Sequence, residues 1–235
     1  MKFADLTKTA RDLGADCLAT GHYVCREVID DVPSLVAALD EDKDQSYFLF
    51  ATTKEQLDFL RFPLGALSKR EVRALAERFN LQVASKPDSQ DICFVPNGRY
   101  ADVIAKIRPD AAISGDIVDE QGHVLGQHDG IINYTIGQRK GLKVGGQKDP
   151  LYVIKLDAEQ NQVIVGPKEA LLADAVYFKD VNWLGGEVSE AGVDVFVRIR
   201  STAKPVAGQL FLNDSGGGHV VLRNAEAGVS PGQAC

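Results

Sequence analysis

The sequence predicts an α/β segment that gives way to a mostly β chain, and three observations carry that expectation. Helical periodicity dominates the first hundred residues, β-rich runs around polar turns begin near residue 115, and strict two-residue alternation appears near residue 193. With 235 residues, 45% of them hydrophobic, the chain can bury a sizeable core as two or three small domains. The expected division is an α/β segment over 1–100, a small mixed segment over 101–165, and a β-barrel or sandwich over 166–235.

Phe3, Leu6, Ala10 and Leu13 recur at helical spacing, and Gly14 stands where a helix would stop. "DCLATGHY" reads as a buried strand of an α/β sheet that breaks at Gly21 into the loop at its carboxyl end, where ligands gather in such folds. "QSYFLFA" (45–51) fits a strand or a helix start equally. "SKREVRALAERFN" is the clearest helix: Ser68 and Glu71 form a capping box, and Val72, Leu75, Ala76 and Phe79 form one apolar stripe. Tyr100, Val103, Ile104 and Ile107 repeat the helical period until Pro109. Beyond it, "GDIVDEQGHVLG" and "LYVIKLDAEQNQVIVG" read as hairpins. In "VDVFVRIR", Val193, Val195, Val197 and Ile199 alternate with Asp194, Phe196, Arg198 and Arg200, as in a half-buried antiparallel strand. "GQLFLND", "SGGG" and "HVVLRN" continue that pattern.

No run approaches the roughly 18 to 20 apolar residues of a membrane span, and the N-terminus lacks an apolar signal segment, so a soluble cytoplasmic protein is expected. Cys17, Cys25, Cys93 and Cys235 have no CxxC spacing, which argues against a zinc site, and they are too few for a disulfide framework. The net charge of −7 disfavours blanket nucleic-acid binding, yet "GQRKGLKVGGQK" (137–148) and "RIRSTAK" (198–204) contain no acid and suit local contacts with RNA.

Each candidate residue has two readings at this level. Gly21 would let backbone approach a phosphate or base and His22 would supply a donor, or the pair is a tight turn. Lys43, Asp44 and Gln45 would address a phosphate and a base edge, or form a solvated charged turn. Cys93 is a nucleophile or a small buried hydrophobe, with Asp88 and Asp91 opposing thiolate formation and Lys86 favouring it. Thr135, Gln138, Arg139 and Lys140 stand among glycines as an anion site or a basic surface loop. Gln233 sits on a turn, and His123, His128 and His219 have no metal-ligand spacing.

The segments "LGADCLATGHY", "DEDKDQSYFL", "FPLGALSKREVRALA", "KPDSQDICFV", "GDIVDEQGHVLGQHDGIINYTIGQRKGL", "LYVIKLDAEQNQVIVG" and "SPGQ" occur in one order. That series resembles the bacterial tRNA-specific 2-thiouridylases, which replace the 2-oxygen of the wobble uridine of tRNA with sulfur. The likeness covers nearly the whole chain. It implies the remnant of an ATP-pyrophosphatase-type α/β domain, a small central domain and a truncated C-terminal β-barrel. It also implies that Cys93 carries a persulfide, that Gly21 contacts ATP, and that His22, Lys43, Asp44, Gln45, Arg200, Ser201 and Gln233 contact tRNA. The implied substrates are ATP, with Mg2+, and tRNA; the implied protein partner is a persulfide sulfur donor or relay, with no resident metal, organic cofactor or membrane.

The chain departs from that family's pattern in three places. No Ser-Gly-Gly-x-Asp-Ser phosphate loop is present, the Cys-Asn motif that precedes "KF" in the family is absent, and "RIRST" replaces an Arg-Tyr-Arg pattern. Neither Cys17 nor Cys25 is expected to substitute for the absent cysteine, and Cys235 is expected to be a strand residue. The expectation is therefore a fragment of a thiouridylase that alone neither binds ATP productively nor completes thiolation. The alternative is a truncated tRNA-binding module without catalysis; a redox protein using Cys93 is disfavoured by the lack of a second cysteine nearby.

Overall fold

The computed structural model describes residues 3–82, 84, 103, 106–107, 112–146 and 149–235. The Cys93 loop and most of the 100–109 helical repeat therefore lie outside the described residues. The chain divides into two compact units, one formed by 1–87, 177–220 and 233–235, the other by 88–176 and 221–232.

In the first unit, helix α1 (Ala4–Asp12) ends as expected at Gly14, whose φ is +75°. Gly14 N–H donates to Arg11 O and Ala15 N–H to Ala10 O, the paired bonds of a Schellman stop. The buried side of α1 differs from the expected stripe: Phe3 and Thr7 are buried, whereas Leu6 and Leu13 are exposed. At 100° per residue Thr7 lies about 40° to one side of Phe3 and the two leucines about 60° to 80° to the other, so the covered side is turned away from them.

Strand β1 (Leu18–Ala19) pairs in parallel with β4 (Leu60–Arg61), the α/β connection that "DCLATGHY" predicts. It is not a buried strand, however: Cys17 and Ala19 are exposed, and only Leu18 between them packs against the core. A hairpin unrecognised in the sequence follows, β2 (Cys25–Ile29) with β3 (Val32–Val36). Its two-residue turn places Asp30 and Asp31 at φ +49° and +60°, the left-handed pair of a type I′ turn. Helix α2 (Lys54–Phe59) also escaped the sequence reading, although Thr53 and Gln56 form a full capping box. Arg26 joins α2 to the hairpin, its Nε donating to Leu57 O at 2.9 Å and its Nη2 to Asp58 at 3.0 Å. "QSYFLFA" resolves into a 3-10 turn over Ser46–Leu49.

Helix α3 (Lys69–Arg78) has the predicted Ser68–Glu71 capping box, and Asn80 at φ +53° closes it with a second Schellman pair. Its stripe is only half-covered among the described residues, with Phe79 exposed. The unit's core gathers Phe3, Val24, Leu49, Leu57, Leu60 and Phe62.

The second unit contains the two predicted hairpins: β5 (Gly115–Val118) with β6 (Val124–His128), and β7 (Tyr152–Asp157) with β8 (Gln162–Gly166). β5 and β8 pair in parallel, giving the sheet order β6-β5-β8-β7. Ile117, Ile131, Tyr134, Leu142, Val153, Val163 and Val165 form its core. His128 is fully buried; its Nδ1 accepts from Gly130 N–H and its Nε2–H donates to Asn161 O, both at 3.1 Å. Replacing His128 with Leu strands both backbone groups, so we expect a loss of about 2 to 4 kcal/mol, measured as an earlier denaturant midpoint. An unchanged midpoint would refute the structural role.

Strands β9 (Leu172–Phe178), β10 (Val193–Val197), β11 (Val206–Leu212) and β12 (Gly218–Ala227) form a sheet in the order β10-β11-β12-β9. The alternation in β10 is as predicted, with Val197 buried and Phe196 outward. Both four-stranded sheets are open among the described residues, so no closed barrel is seen there. Cys235 lies outside any strand, contrary to expectation.

Candidate functional site

The turn holding Lys43, Asp44 and Gln45 is built by backbone pairing with the segment that carries Gly21 and His22. Gln45 N–H donates to Tyr23 O at 2.9 Å, and the Gln45 side-chain Oε1 accepts from Tyr23 N–H at 3.0 Å. The two motifs, 22 residues apart in sequence, are thus one local structure. His22 is half-buried, with Nδ1 at hydrogen-bonding distance from Thr20 Oγ1 and its ring edge-on to Phe3. Gly21 is exposed, and a Cβ there would meet only Leu64 at 3.6 Å. Close packing therefore does not require this glycine.

Asp44 is not part of a solvated turn. Its side chain is 4% exposed. Oδ1 accepts from Ala38 N–H at 3.0 Å and Ser46 N–H at 3.3 Å, and Oδ2 accepts from Ser46 Oγ at 2.6 Å. Arg198 Nη1 stands 3.5 Å from Oδ2. These contacts occupy both oxygens, so the carboxylate organises the turn and tethers it to the residue after β10.

Arg198 was not singled out in the sequence, because β alternation places it on the outward side with Phe196. A carboxylate 154 positions upstream partly covers it, and local periodicity carries no trace of such a partner. Arg200 and Ser201 follow in an exposed turn closed by Ala203 N–H donating to Arg200 O at 3.0 Å. The expectation that they lie on the strand is corrected: β10 ends at Val197. Val197 and Ile199 are both buried, so the alternation of burial continues two residues past the end of the strand.

Asp44, Tyr47, Trp183, Arg198 and Gln233 contribute to the lining of a cavity of about 590 Å³ in this unit. Asn182 Nδ2 donates to Phe50 O and Thr52 O, both at 2.8 Å, and Tyr47 OH donates to Ala234 O at 2.8 Å. Burial raises the Tyr47 phenol pKa, Cys235 adds to the rise and Arg198 opposes it, which keeps the hydroxyl a donor. Gly21, His22, Lys43, Arg200 and Ser201 do not line this cavity. Cys93 lies outside the described residues, and its relation to these groups is not described.

In the second unit, Gln138 uses its side chain locally: Oε1 accepts from Thr135 N–H and Nε2 donates to Lys140 O, each at 3.0 Å. It is a brace for the loop, and its amide is engaged within the loop itself. Among the described residues no group of three His, Cys, Asp or Glu side chains could hold a metal ion. No helix among them is long and apolar enough to cross a membrane.

Three family models match successive parts of the chain. A tRNA methyl transferase HUP domain covers residues 1–97, a tRNA methyl transferase PRC-barrel domain covers 101–167, and an aminomethyltransferase beta-barrel domain covers 173–235. This order defines a class of protein with mixed α/β and β domains. Similar proteins include a tRNA-specific 2-thiouridylase MnmA from Maricaulis maris, 57% identical over 235 residues, and one from Bradyrhizobium sp., 58% identical over 240. Another, from Paracoccus denitrificans, is 56% identical over 236 residues. All of the present chain is covered in each case, and the chain spans 58 to 61% of these relatives' length. The chain belongs to the tRNA-specific 2-thiouridylase family.

Proposed function

We propose that this chain contributes to ATP-dependent 2-thiolation of the wobble uridine of tRNA, with Cys93 as the persulfide carrier. The uracil C2 oxygen is a poor leaving group. Transfer of AMP from ATP onto that oxygen, with release of pyrophosphate, makes it a good one; the outer sulfur on Cys93 then attacks C2 and expels AMP, and a second thiol cleaves the S–S bond, leaving the sulfur on C2 and forming a disulfide with Cys93. A persulfide is more acidic than a thiol, which offsets the opposition of Asp88 and Asp91 to anion formation. The target base must leave its stack to be reached, so polar side chains that receive a flipped base belong near Cys93.

In this reading 1–100 is the catalytic part with Gly21 against ATP, 101–165 a small central domain, and 166–235 the tRNA-holding β part. His22, Lys43, Gln45, Arg200, Ser201 and Gln233 face tRNA, and Asp44 holds the turn on which Lys43 and Gln45 stand. A persulfide donor or relay protein loads Cys93, and the setting is the cytoplasm. The observation that carries the reading is the identity of 56 to 58% to proteins named 2-thiouridylases over the entire chain.

The sequence contains no Ser-Gly-Gly-x-Asp-Ser loop, which favours a second reading in which these 235 residues bind tRNA without catalysis. One experiment addresses both. The purified chain is incubated with a persulfide donor, mapped by peptide mass spectrometry, and then offered ATP and unmodified tRNA. We expect one added sulfur on Cys93, absent in Cys93→Ser, and tRNA binding without 2-thiouridine. Sulfur carried by Cys17, Cys25 or Cys235 in place of Cys93 would overturn the assignment, and 2-thiouridine formation would overturn the second reading.

A further inference from the structure

The loop over 134–144 of the second unit is held at both ends and braced in the middle. Tyr134 and Leu142 are buried in the core of that unit. Between them Gly137 N–H donates to Val153 O at 2.8 Å and Val153 N–H to Gln138 O at 2.9 Å, which pins the loop to β7. Gln138 spans Thr135 N–H and Lys140 O, and Gly137 and Gly141 take φ of +86° and +79°. The chain between the anchors is therefore fixed in shape, and it presents Arg139 and Lys140 to solvent.

Among the described residues the charge at this tip has no local counter-charge. Lys143, the next cation, is paired with Asp129. Among the described residues Arg139 and Lys140 have no carboxylate partner, and the nearest acid in sequence is Asp129 on one side and Asp149 on the other. Arg139, Lys143 and Asp149 contribute to the lining of a shallow cavity of about 430 Å³ beside the tip, and Lys140 does not. On a chain of net charge −7, two adjacent cations held clear of acids are a local exception to a surface that repels polyanions.

We infer that Arg139 and Lys140 form a docking point for the phosphate backbone of RNA, an inference that rests on the tRNA reading above. A preformed loop loses little conformational entropy on binding, and Arg and Lys contacts to phosphate position a nucleic acid without reading its sequence. The contact is thus a positioning one and carries no base recognition of its own.

The test measures binding of an unmodified tRNA transcript, and of an unrelated single-stranded RNA, by the full chain across a salt series. For the double variant Arg139→Gln, Lys140→Gln we expect about tenfold weaker binding to both RNAs, with the slope of log affinity against log salt reduced by about 1 per cation removed. Circular dichroism should remain that of the unsubstituted chain, since neither side chain is buried. Gln138→Ala, which leaves the cations but removes the brace, should weaken binding by a smaller factor and leave the slope intact. Unchanged affinity and slope in the double variant, while Lys43→Gln weakens tRNA binding, would overturn this contact and leave the tRNA reading standing. Failure of the unsubstituted chain to bind tRNA at all would instead overturn that reading, and this contact with it.

Discussion

Replacing Gly65 with Ala is expected to destabilise the first unit by at least about 3 kcal/mol, the upper end of the usual penalty for overpacking. A Cβ at this position would stand 2.0 Å from Val24 O, 2.5 Å from Val24 C and 2.9 Å from Cys25 N. All three are backbone atoms, so no rotamer change relieves the clash. Gly65 cannot retreat either, because its N–H donates to Phe62 O at 3.2 Å and its carbonyl accepts from Leu39 N–H at 2.9 Å. Val24 is fully buried, and the residue before it carries the Tyr23–Gln45 pair. The displacement thus reaches both the His22 segment and the Lys43–Gln45 turn. Gly21→Ala is the internal control: its Cβ finds ordinary contact with Leu64, and we expect a change within about 0.5 kcal/mol. Chemical denaturation of the two variants measures the difference, and equal midpoints would show that the Gly65 contact is relieved without cost.

Gly65 illustrates what a single sequence can and cannot convey. "FPLGALSKRE" contains a legible helix start, because Ser68 and Glu71 form a capping box within four residues. The same string says nothing of Gly65 meeting Val24, 41 positions away. Other local signals behaved alike. The hairpins at 115–128 and 152–166 and the alternation in 193–197 are written in adjacent residues and were read correctly. Thr53 with Gln56, and Asp30-Asp31 between two apolar runs, are equally local; α2 and the β2–β3 hairpin were legible there and passed over.

Failures of the other kind arose from partners supplied by the tertiary fold. Leu6 and Leu13 fit a helical stripe, yet which flank of α1 is covered depends on what packs against Phe3 and Thr7. Of the site, the association of the 21–22 and 43–45 motifs was suggested only by resemblance, and the Tyr23–Gln45 pair supplies its physical basis. Arg198 illustrates the limit: outward by alternation, it is drawn toward a carboxylate by a contact that no window of residues contains.

That contact sets the second large expectation. Asp44→Ala removes an acceptor from Ala38 N–H, Ser46 N–H and Ser46 Oγ together, and leaves Arg198, itself half-buried, without its counter-charge. Each stranded backbone donor costs about 1 to 3 kcal/mol when buried, and breaking a buried pair from one side costs about 3 to 5 kcal/mol. Arg198 retains some solvent access, so we expect about 3 kcal/mol in all. Asp44→Asn can keep Oδ1 as an acceptor and should lose about half as much. The readout specific to this arrangement is hydrogen exchange: the Ala38 and Ser46 amides should exchange faster in Asp44→Ala than in Asp44→Asn. Arg198→Met separates the ion pair from the turn. It should leave those two amides protected while weakening tRNA binding, because Arg200 and Ser201 then lose their tether to the Lys43–Gln45 turn. A double-mutant cycle between Asp44→Ala and Arg198→Met should give a coupling of about 1 kcal/mol, as expected for residues in contact. If Arg198→Met leaves tRNA affinity unchanged and the cycle is additive, the two segments are neighbours without mutual support, and Asp44 serves its own turn alone.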